Sequence, residues 1–293
     1  MAVVVGLLVA ACGSAPVATP APTATAAAPV PPLDHIYVIV MENKEEGHVI
    51  GNPDAAFLND LGARGGLATE YHGVSHPSQP NYLALFAGST FGVADDGIHD
   101  LDAPTIADQL EAAGRTWHVY AQDLPSPCFT GAESNGGVDL VGAPGAYVRK
   151  HNPAISFVGI SRNPTRCANI TDLASFDAGA ADLELIVPNL TNDMHNGTIT
   201  QGDGFLRDLV PRITGDPAFA RSLLVVTFDE GSTTSGGGGE VATVLVSPLI
   251  APGTTSAVEH DHYSLLRTIE ESWGLGCLAQ SCAANSLGEF FSR

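Results

Sequence analysis

Residues 35–41 read HIYVIVM, a continuous apolar run rich in β-branched side chains. A run of this kind predicts a strand that is buried on both faces. Further strands are predicted at residues 67–74, 116–121, 182–190, 222–231 and 240–248. Helices are predicted at residues 54–66, 103–114, 202–213 and 262–274, and another has Pro80 in its first turn. This alternation predicts an α/β fold with a mostly parallel central sheet and helices on both faces.

The N-terminal part of the 293-residue chain differs from the rest, because residues 1–33 contain no charged side chain. Residues 1–12 resemble a signal peptide, and VAAC is similar to a bacterial lipobox in which Cys12 would be lipidated. A buried N-terminal strand is the alternative interpretation. Residues 13–33 are rich in Pro, Ala and Thr and predict a disordered, extended tether. We therefore expect an exported protein, secreted or anchored at the cell surface, with a single domain at residues 34–293.

The chain is strongly acidic, with 12 Lys and Arg against 32 Asp and Glu and a formal net charge of −20. A surface of this charge repels nucleic acid and anionic lipid. We therefore expect no nucleic-acid partner, and membrane contact only through a lipid anchor. An anionic substrate would need a local cation to overcome this field, which is a first indication of a metal ion.

Four cysteines remain after Cys12, and an even number in an exported chain indicates disulfides. Four cysteines allow three pairings. We favour Cys277–Cys282, which closes a short loop near the C-terminus, together with Cys128–Cys167. A metal site is the rival interpretation, but the sequence contains no C-x-x-C spacing to support it.

Polar side chains follow five of the predicted strands. In open α/β sheets, ligands bind at the carboxyl ends of the strands. The side chains found there are Glu42 and Asn43; His76, Ser78 and Asn81; Asn192, Asp193 and His195; Asp229 and Glu230; and His260, Asp261 and His262. Any one of them could be a helix cap or a hydrogen-bonded loop residue. Together, carboxylates gathered on one edge would repel each other without a cation, so the pattern predicts a site for one or two divalent metal ions.

The stretch SHPSQPNYLALFAGS, residues 75–89, places Ser78 at the start of a predicted helix. The N-terminus of a helix favours an anion such as a phosphoryl group. A neighbouring metal would lower the pKa of the Ser78 hydroxyl and allow it to attack phosphorus. Asn81 could donate its amide to a phosphoryl oxygen. A serine protease is disfavoured, because the sequence around Ser78 lacks the G-x-S-x-G elbow.

Six motifs in order carry a resemblance to a known family. They are VIVMEN, HPSQPNYLALFAGS, PNLTNDMHNG, VVTFDEG, VATVLVSP and DHYSLLRTIE. Together they resemble the bacterial phosphoesterase family of acid phosphatases and phospholipases C, within the alkaline phosphatase superfamily. The resemblance covers about residues 34–275 and implies an alkaline-phosphatase-like three-layer sandwich.

The resemblance also implies roles for individual residues. Ser78 matches the nucleophile, which would also contact the metal. The matched metal ligands are Glu42, Asn43, Asp229 and Glu230. A second, less complete set consists of Asp193, His195 and His262. The two histidines are also implied to contact the phosphate or to protonate the leaving group.

The loop after the fourth motif reads DEGSTTSGGGG, without the histidine that is usual in the phospholipase branch. This difference favours an acid-phosphatase-like phosphomonoesterase that acts on a small phosphorylated substrate. A phospholipase C or another phosphodiesterase on the same scaffold is one alternative. A non-catalytic anchored protein that binds phosphate or metal is the other, and it would have no need of Ser78 as a nucleophile.

Overall fold

The computed structural model describes residues 1–3, 29–134 and 147–291. Cys12 and most of the predicted signal and tether lie outside the described residues. Ten strands are described: β1 (Ile36–Met41), β2 (Gly66–Ala68), β3 (Tyr71–His72), β4 (Trp117–Ala121), β5 (Ile170–Asp172), β6 (Leu183–Val187), β7 (Leu223–Phe228), β8 (Thr243–Val246), β9 (Thr254–Ser256) and β10 (His260–Asp261). The described α-helices are α1 (Glu46–Val49), α2 (Ala56–Arg64), α3 (Ser78–Ala87), α4 (Ile106–Ala112), α5 (Val158–Ser161), α6 (Pro164–Cys167), α7 (Ile199–Thr214) and α8 (His262–Ser272).

Eight strands form one sheet in the order β5-β4-β6-β1-β7-β8-β2-β9, and β3 pairs with β10 apart from it. The centre is parallel, with β1 between β6 and β7. Every residue of β1, β6 and β7 is buried, so both faces of the sheet are covered. Helix α2 packs against α7, and α3 packs against α8. The predicted α/β fold with a mostly parallel sheet between helices is confirmed.

Two strand predictions were wrong in ways that affect the site. The stretch 67–74 is divided between β2 in the large sheet and β3 in the small one. Strand β8 is antiparallel to β7, so its carboxyl end points away from the edge where we expected it. Residues 229–242 connect β7 to β8 without an α-helix, whereas parallel neighbours are usually joined through a helical crossover. The parallel strand β9 then returns the chain to the expected edge before β10 and α8.

The packed part of the chain begins slightly earlier than predicted. Val30 and Leu33 are buried, and Trp273 donates its indole N–H to the Leu33 carbonyl. The last residues of the predicted tether therefore belong to the domain. Both predicted disulfides, Cys128–Cys167 and Cys277–Cys282, are present. Within the described ranges, no helix has the length and apolar character needed to cross a membrane.

Candidate active site

Four acidic side chains converge at the carboxyl edge of the sheet, and we call Glu42, Asp193, Asp229 and Glu230 the edge cluster. Glu42 follows β1 directly, and Asp229 and Glu230 follow β7. Asp193 belongs to the loop after β6, and its carbonyl accepts a hydrogen bond from the Glu42 N–H at 2.8 Å. Because β1 lies between β6 and β7, the three segments meet at one point. All four side chains are buried.

Ser78 lies against this cluster at the first position of α3. Its Oγ is 3.1 Å from Glu42 Oε2, to which it donates, and 3.4 Å from Glu230 Oε1. Tyr82, one helical turn later on the same face, donates its hydroxyl to Glu42 Oε1 at 2.5 Å. Asn43 donates its side-chain amide to Glu42 Oε2 at 2.8 Å, and its backbone N–H donates to Asp229 Oδ1 at 3.1 Å. The structure thus brings the predicted nucleophile to the predicted metal ligands.

The carboxylates of the edge cluster destabilise one another's charge. Burial and the charges of Asp229 and Asp193 raise the pKa of Glu42 well above its usual range. Burial and the Glu230 charge raise the pKa of Asp229 to about 7. Burial likewise raises the pKa of Asp193 and of Glu230.

Two carboxylate oxygens of the cluster, Asp193 Oδ2 and Asp229 Oδ2, are buried and have no hydrogen-bond partner. An unpaired buried oxygen of this kind costs free energy unless a cation or donor reaches it. Hard carboxylate, amide and hydroxyl oxygens suit a divalent cation. In the described parts of the chain, no three His, Cys, Asp or Glu side chains already form a ligand set by themselves. The fit therefore rests on the chemistry of the donors, with Asn43 and Ser78 among them.

Asn81 has a role different from the one predicted. Its Oδ1 accepts from the N–H groups of Val74 and Ser75 at 2.8 and 3.1 Å. Its amide nitrogen lies 2.9 Å from the Ser75 carbonyl and 3.3 Å from the Pro77 carbonyl, and donates to both. The amide hydrogens are directed at the backbone rather than at the site. Asn81 therefore fixes the turn that presents Ser78, and the expected donation to a phosphoryl oxygen has no support in this geometry.

The two predicted histidines are placed differently from each other. His262 is buried, its Nε2 donates to the Asp229 carbonyl at 2.6 Å, and its Nδ1 accepts from the Tyr71 hydroxyl at 3.3 Å. Both of its ring nitrogens are therefore engaged, one of them by the backbone of Asp229, and burial lowers its pKa. His195 is half-buried, and its backbone N–H donates to Asp193 Oδ1 at 2.7 Å. It is therefore the more accessible of the two.

His76 joins the turn before Ser78 to the loop after β7. Its Nδ1 is 2.6 Å from Glu230 Oε2, and its Nε2 is 2.6 Å from the Thr233 carbonyl. Burial alone would lower the pKa of His76, but the Thr233 carbonyl and the Glu230 carboxylate outweigh it and raise the pKa. His76 therefore holds Glu230 in place.

Sequence reasoning missed His151, which is completely buried beside the cluster. Its ring stacks on Tyr82, with the centroids 5.2 Å apart, and lies 6.0 Å from the ring of His195. Its Nε2 is 3.0 Å from Glu42 Oε1 and its Nδ1 is 3.5 Å from Asp193 Oδ2, but neither contact has hydrogen-bond geometry. Burial lowers the pKa of His151 well below its usual range.

The only sequence signal for His151 was its place in the irregular segment 122–166. A long irregular segment of this kind is often functional, and this one brings His151 beside Glu42. Nothing in the local sequence around residue 151 distinguished this histidine from an ordinary loop residue.

Comparison with known proteins identifies the family of this chain. The family model described as Phosphoesterase family matches residues 52–276. The chain is 33% identical over 252 residues to the phosphatidylinositol-3-phosphatase of Mycobacterium tuberculosis, a match that covers 85% of this chain and 80% of that protein. It is 34% identical over 239 residues to an acid phosphatase of Aspergillus fumigatus, covering 78% of this chain and 53% of the relative. The chain thus spans about half the length of this fungal relative.

Solved structures with low sequence identity share the fold. A phosphonate monoester hydrolase of Agrobacterium radiobacter superposes with a TM-score of 0.58 at 11% identity, covering 88% of this chain and 77% of that chain. A protein of the alkaline phosphatase superfamily from Vibrio parahaemolyticus gives a TM-score of 0.52 at 13% identity, covering 85% and 69%. At such identities the likeness concerns the fold alone, and it confirms the predicted alkaline-phosphatase-like architecture.

Proposed function

The chain belongs to the phosphoesterase family, and from this premise we propose that it hydrolyses phosphate monoesters with Ser78 as the nucleophile and a divalent metal ion as cofactor. The observation that carries the proposal is the position of Ser78 Oγ between two carboxylates, 3.1 Å from Glu42 and 3.4 Å from Glu230. A hydroxyl among buried acids, some with unpaired oxygens, is poorly explained as a helix cap. It is well explained as a nucleophile beside a cation.

The ligands that we propose for the metal are the oxygens around Ser78. Glu42, Asn43, Asp229, Glu230 and the Ser78 hydroxyl would hold one ion, and Asp193 would extend the set toward a second. When bound, such an ion neutralises phosphoryl charge and lowers the pKa of a coordinated hydroxyl. The raised pKa values of the four acids are the expected mark of a site that is complete only with added positive charge.

The chemistry then falls to this chain's own side chains. Ser78 Oγ loses its proton toward Glu42 Oε2, attacks phosphorus in line, and forms a phosphoserine as the bond to the leaving oxygen breaks. The leaving oxygen takes a proton from an imidazole. We assign this proton to His195, which is more exposed than His262 and whose Nδ1 lies 2.8 Å from Asn196 Oδ1. Water attacks the phosphoserine in the second half of the reaction and releases phosphate.

The comparisons favour a phosphatase over a diesterase. Both curated relatives described above are named phosphatases. The absence of a histidine from the loop DEGSTTSGGGG supports the same choice. The two disulfides favour an oxidising compartment, so we also propose that the protein is exported and acts on a small phosphorylated substrate. Lipidation at Cys12 stays a prediction.

The proposal can be tested with the purified full-length chain and two chromogenic esters, an aryl phosphomonoester and the matching diester. We expect turnover of the monoester that is abolished by chelation and restored by a divalent metal ion. Ser78→Ala should reduce kcat/KM by at least about 10³-fold, as loss of a nucleophile does in hydrolases. Ser75→Ala is the matched control, since Ser75 lies in the same turn and its hydroxyl donates to the His76 carbonyl rather than to an acid of the edge cluster. Retention of full activity in Ser78→Ala would overturn the proposed mechanism.

A further inference from the structure

The edge cluster and a bound phosphate ester present a charge problem. The four carboxylates carry up to four negative charges, and a monoester adds nearly two more at neutral pH. One divalent ion cancels two of these charges. Additional cations are needed close to the phosphoryl group, in a chain whose formal net charge is −20.

Two lysines lie next to residues of the site, because Lys44 follows Asn43 and Lys150 precedes His151. Lys44 Nζ donates to the Met194 carbonyl at 2.8 Å and to the Asn43 carbonyl at 3.3 Å. Lys44 therefore supports the cluster beside the loop that carries Asp193.

Lys150 lies on the side of the nucleophile. Its Nζ is 3.0 Å from Asp96 Oδ2, and its side chain is only 11% exposed. The other oxygen of Asp96 accepts from the backbone N–H of Gln79, also at 3.0 Å. Gln79 follows Ser78 directly. One carboxylate thus joins the Lys150 ammonium to the first turn of the helix that presents the nucleophile.

The backbone around Lys150 is firmly held. His151, the next residue, is buried with its Nε2 3.0 Å from Glu42 Oε1. Arg149, the preceding residue, is also buried and donates to the Thr130 carbonyl at 2.8 Å and to Asp100 Oδ1 at 3.0 Å. The ammonium is therefore fixed by its neighbours rather than carried on a free surface chain, where an ion pair would contribute little.

We propose that Lys150 binds a phosphoryl oxygen of the substrate and makes the site selective for phosphate monoesters, which carry two negative charges, over diesters, which carry one. Asp96 is a positioning residue that holds the ammonium beside Ser78. A compact ammonium suits this role, because it discriminates by charge rather than by planar, two-pronged geometry. The inference rests on the proposed function and adds the residue that makes the site prefer monoesters.

The test compares the two esters in Lys150→Met, with the full-length, metal-loaded chain. We expect kcat/KM for the monoester to fall at least about tenfold, a loss near 1.4 kcal/mol. The diester should change by less than about threefold, and inhibition by inorganic phosphate should weaken in parallel with the monoester. Lys150→Arg should recover most of the selectivity, because it restores the charge.

Two further variants separate selectivity from general effects of charge. Arg64→Met removes one positive charge from an exposed pair with Asp60 on α2, and should leave the monoester-to-diester ratio unchanged. Lys44→Met should lower activity on both esters in the same proportion. If Lys150→Met fails to fold, judged by its thermal unfolding, Lys150→Gln replaces it.

The outcomes distinguish this inference from the function on which it depends. The inference is overturned if the wild type is active and the monoester-to-diester ratio of kcat/KM in Lys150→Met stays within about twofold of the wild-type ratio. The proposed function would then remain intact. A wild type that turns over neither ester overturns the function. In that case calorimetric titration with inorganic phosphate tests the role of Lys150 separately. An affinity for phosphate that is the same in Lys150→Met and in the wild type overturns that role as well.

Discussion

Two regions of the sheet bury acidic side chains, and they differ in how many acids lie together. The edge cluster packs four carboxylates together beside Ser78. The second region, the sheet cluster, consists of Tyr37, His118 and Glu184, which are neighbours across β1, β4 and β6. Their Tyr37 Oη, His118 Nδ1 and Glu184 Oε2 atoms are buried without a hydrogen-bond partner.

The two regions differ in how negative charge can be relieved. Burial raises the pKa of Glu184 to about 7, and the backbone N–H groups of Ala181, Gly179 and Ala180 only partly oppose this. Glu184 can therefore become neutral by keeping one proton. In the edge cluster the charges of Asp229 and Asp193 also raise the pKa of Glu42, the charge of Glu230 raises that of Asp229, and two carboxylate oxygens have no hydrogen-bond partner. A single buried acid can thus be neutralised by binding one proton. Four buried acids close together lower the stability of the folded protein, which is typical of a functional site that binds a cation.

The largest effect that would test this comparison is expected from Asp229→Asn. It removes one ligand of the proposed metal ion but keeps a side-chain oxygen for the Asn43 N–H. Metal ligation is worth several kcal/mol in such reactions, so activity should fall by on the order of 10³-fold. In chelated protein at pH 8 the melting temperature should rise by at least about 3 °C, because a repelled buried charge is gone.

The control for Asp229→Asn is Asp34→Asn, which changes an exposed acid and should alter neither property. Loss of activity together with a lower melting temperature in chelator would contradict the comparison. It would mean that the Asp229 charge stabilises the fold without a cation.

The next effect concerns the sheet cluster and the pH dependence of stability. Because the folded-state pKa of Glu184 is raised from 4.5 to about 7, the folded protein keeps a proton that the unfolded chain releases. The contribution of Glu184 to the free energy of unfolding is therefore fully present below about pH 4.5 and is lost as the pH rises through 7. At about 1.4 kcal/mol per pH unit, the total is about 3 kcal/mol.

Glu184→Gln should remove this part of the pH dependence, measured by urea unfolding at intervals from pH 4.5 to 8. The variant should equal the wild type in stability at the acid end and exceed it at the alkaline end. Asp177→Asn, which changes an exposed acid near Glu184, serves as the control. An unchanged slope in Glu184→Gln would show that Glu184 titrates normally and that the two clusters do not differ as described.

Much of the fold and of the edge cluster followed from the sequence, for a physical reason. Buried parallel strands are continuous apolar runs, and their carboxyl ends meet at one edge. Residues that directly follow such a run, as Glu42 and Asp229 do, are placed by the strand itself. Asp193 was predicted in the same way from the strand that became β6.

What could not be predicted depends on contacts distant in sequence. His151 and Lys150 lie in a segment without periodicity, and only the packed structure brings them beside Glu42 and Asp96. The partners of His262 and the direction of β8 also follow from packing. Strands β5 and β9 have three residues each, too few for a recognisable pattern.

The smallest and sharpest test uses one chemical change in both regions, the removal of a tyrosine hydroxyl. Tyr82 donates to Glu42 Oε1 at 2.5 Å, whereas the buried Tyr37 hydroxyl has no partner. A hydrogen bond to a charged group is worth about 1.5–3 kcal/mol, so Tyr82→Phe should lower kcat/KM by roughly 10- to 100-fold. Tyr37→Phe should leave activity within about twofold and stability within about 1 kcal/mol, because it deletes an unsatisfied group.

Steady-state kinetics and urea unfolding on the two variants, side by side, measure the contrast. Burial and the Glu42 charge raise the pKa of Tyr82 well above its usual range, so it remains a donor throughout the accessible pH range. The activity loss in Tyr82→Phe should therefore be similar from pH 5 to 8. Equal effects of the two substitutions would mean that Glu42 does not need the Tyr82 hydroxyl. The contact between Tyr82 and Glu42 would then be a consequence of packing rather than part of the site.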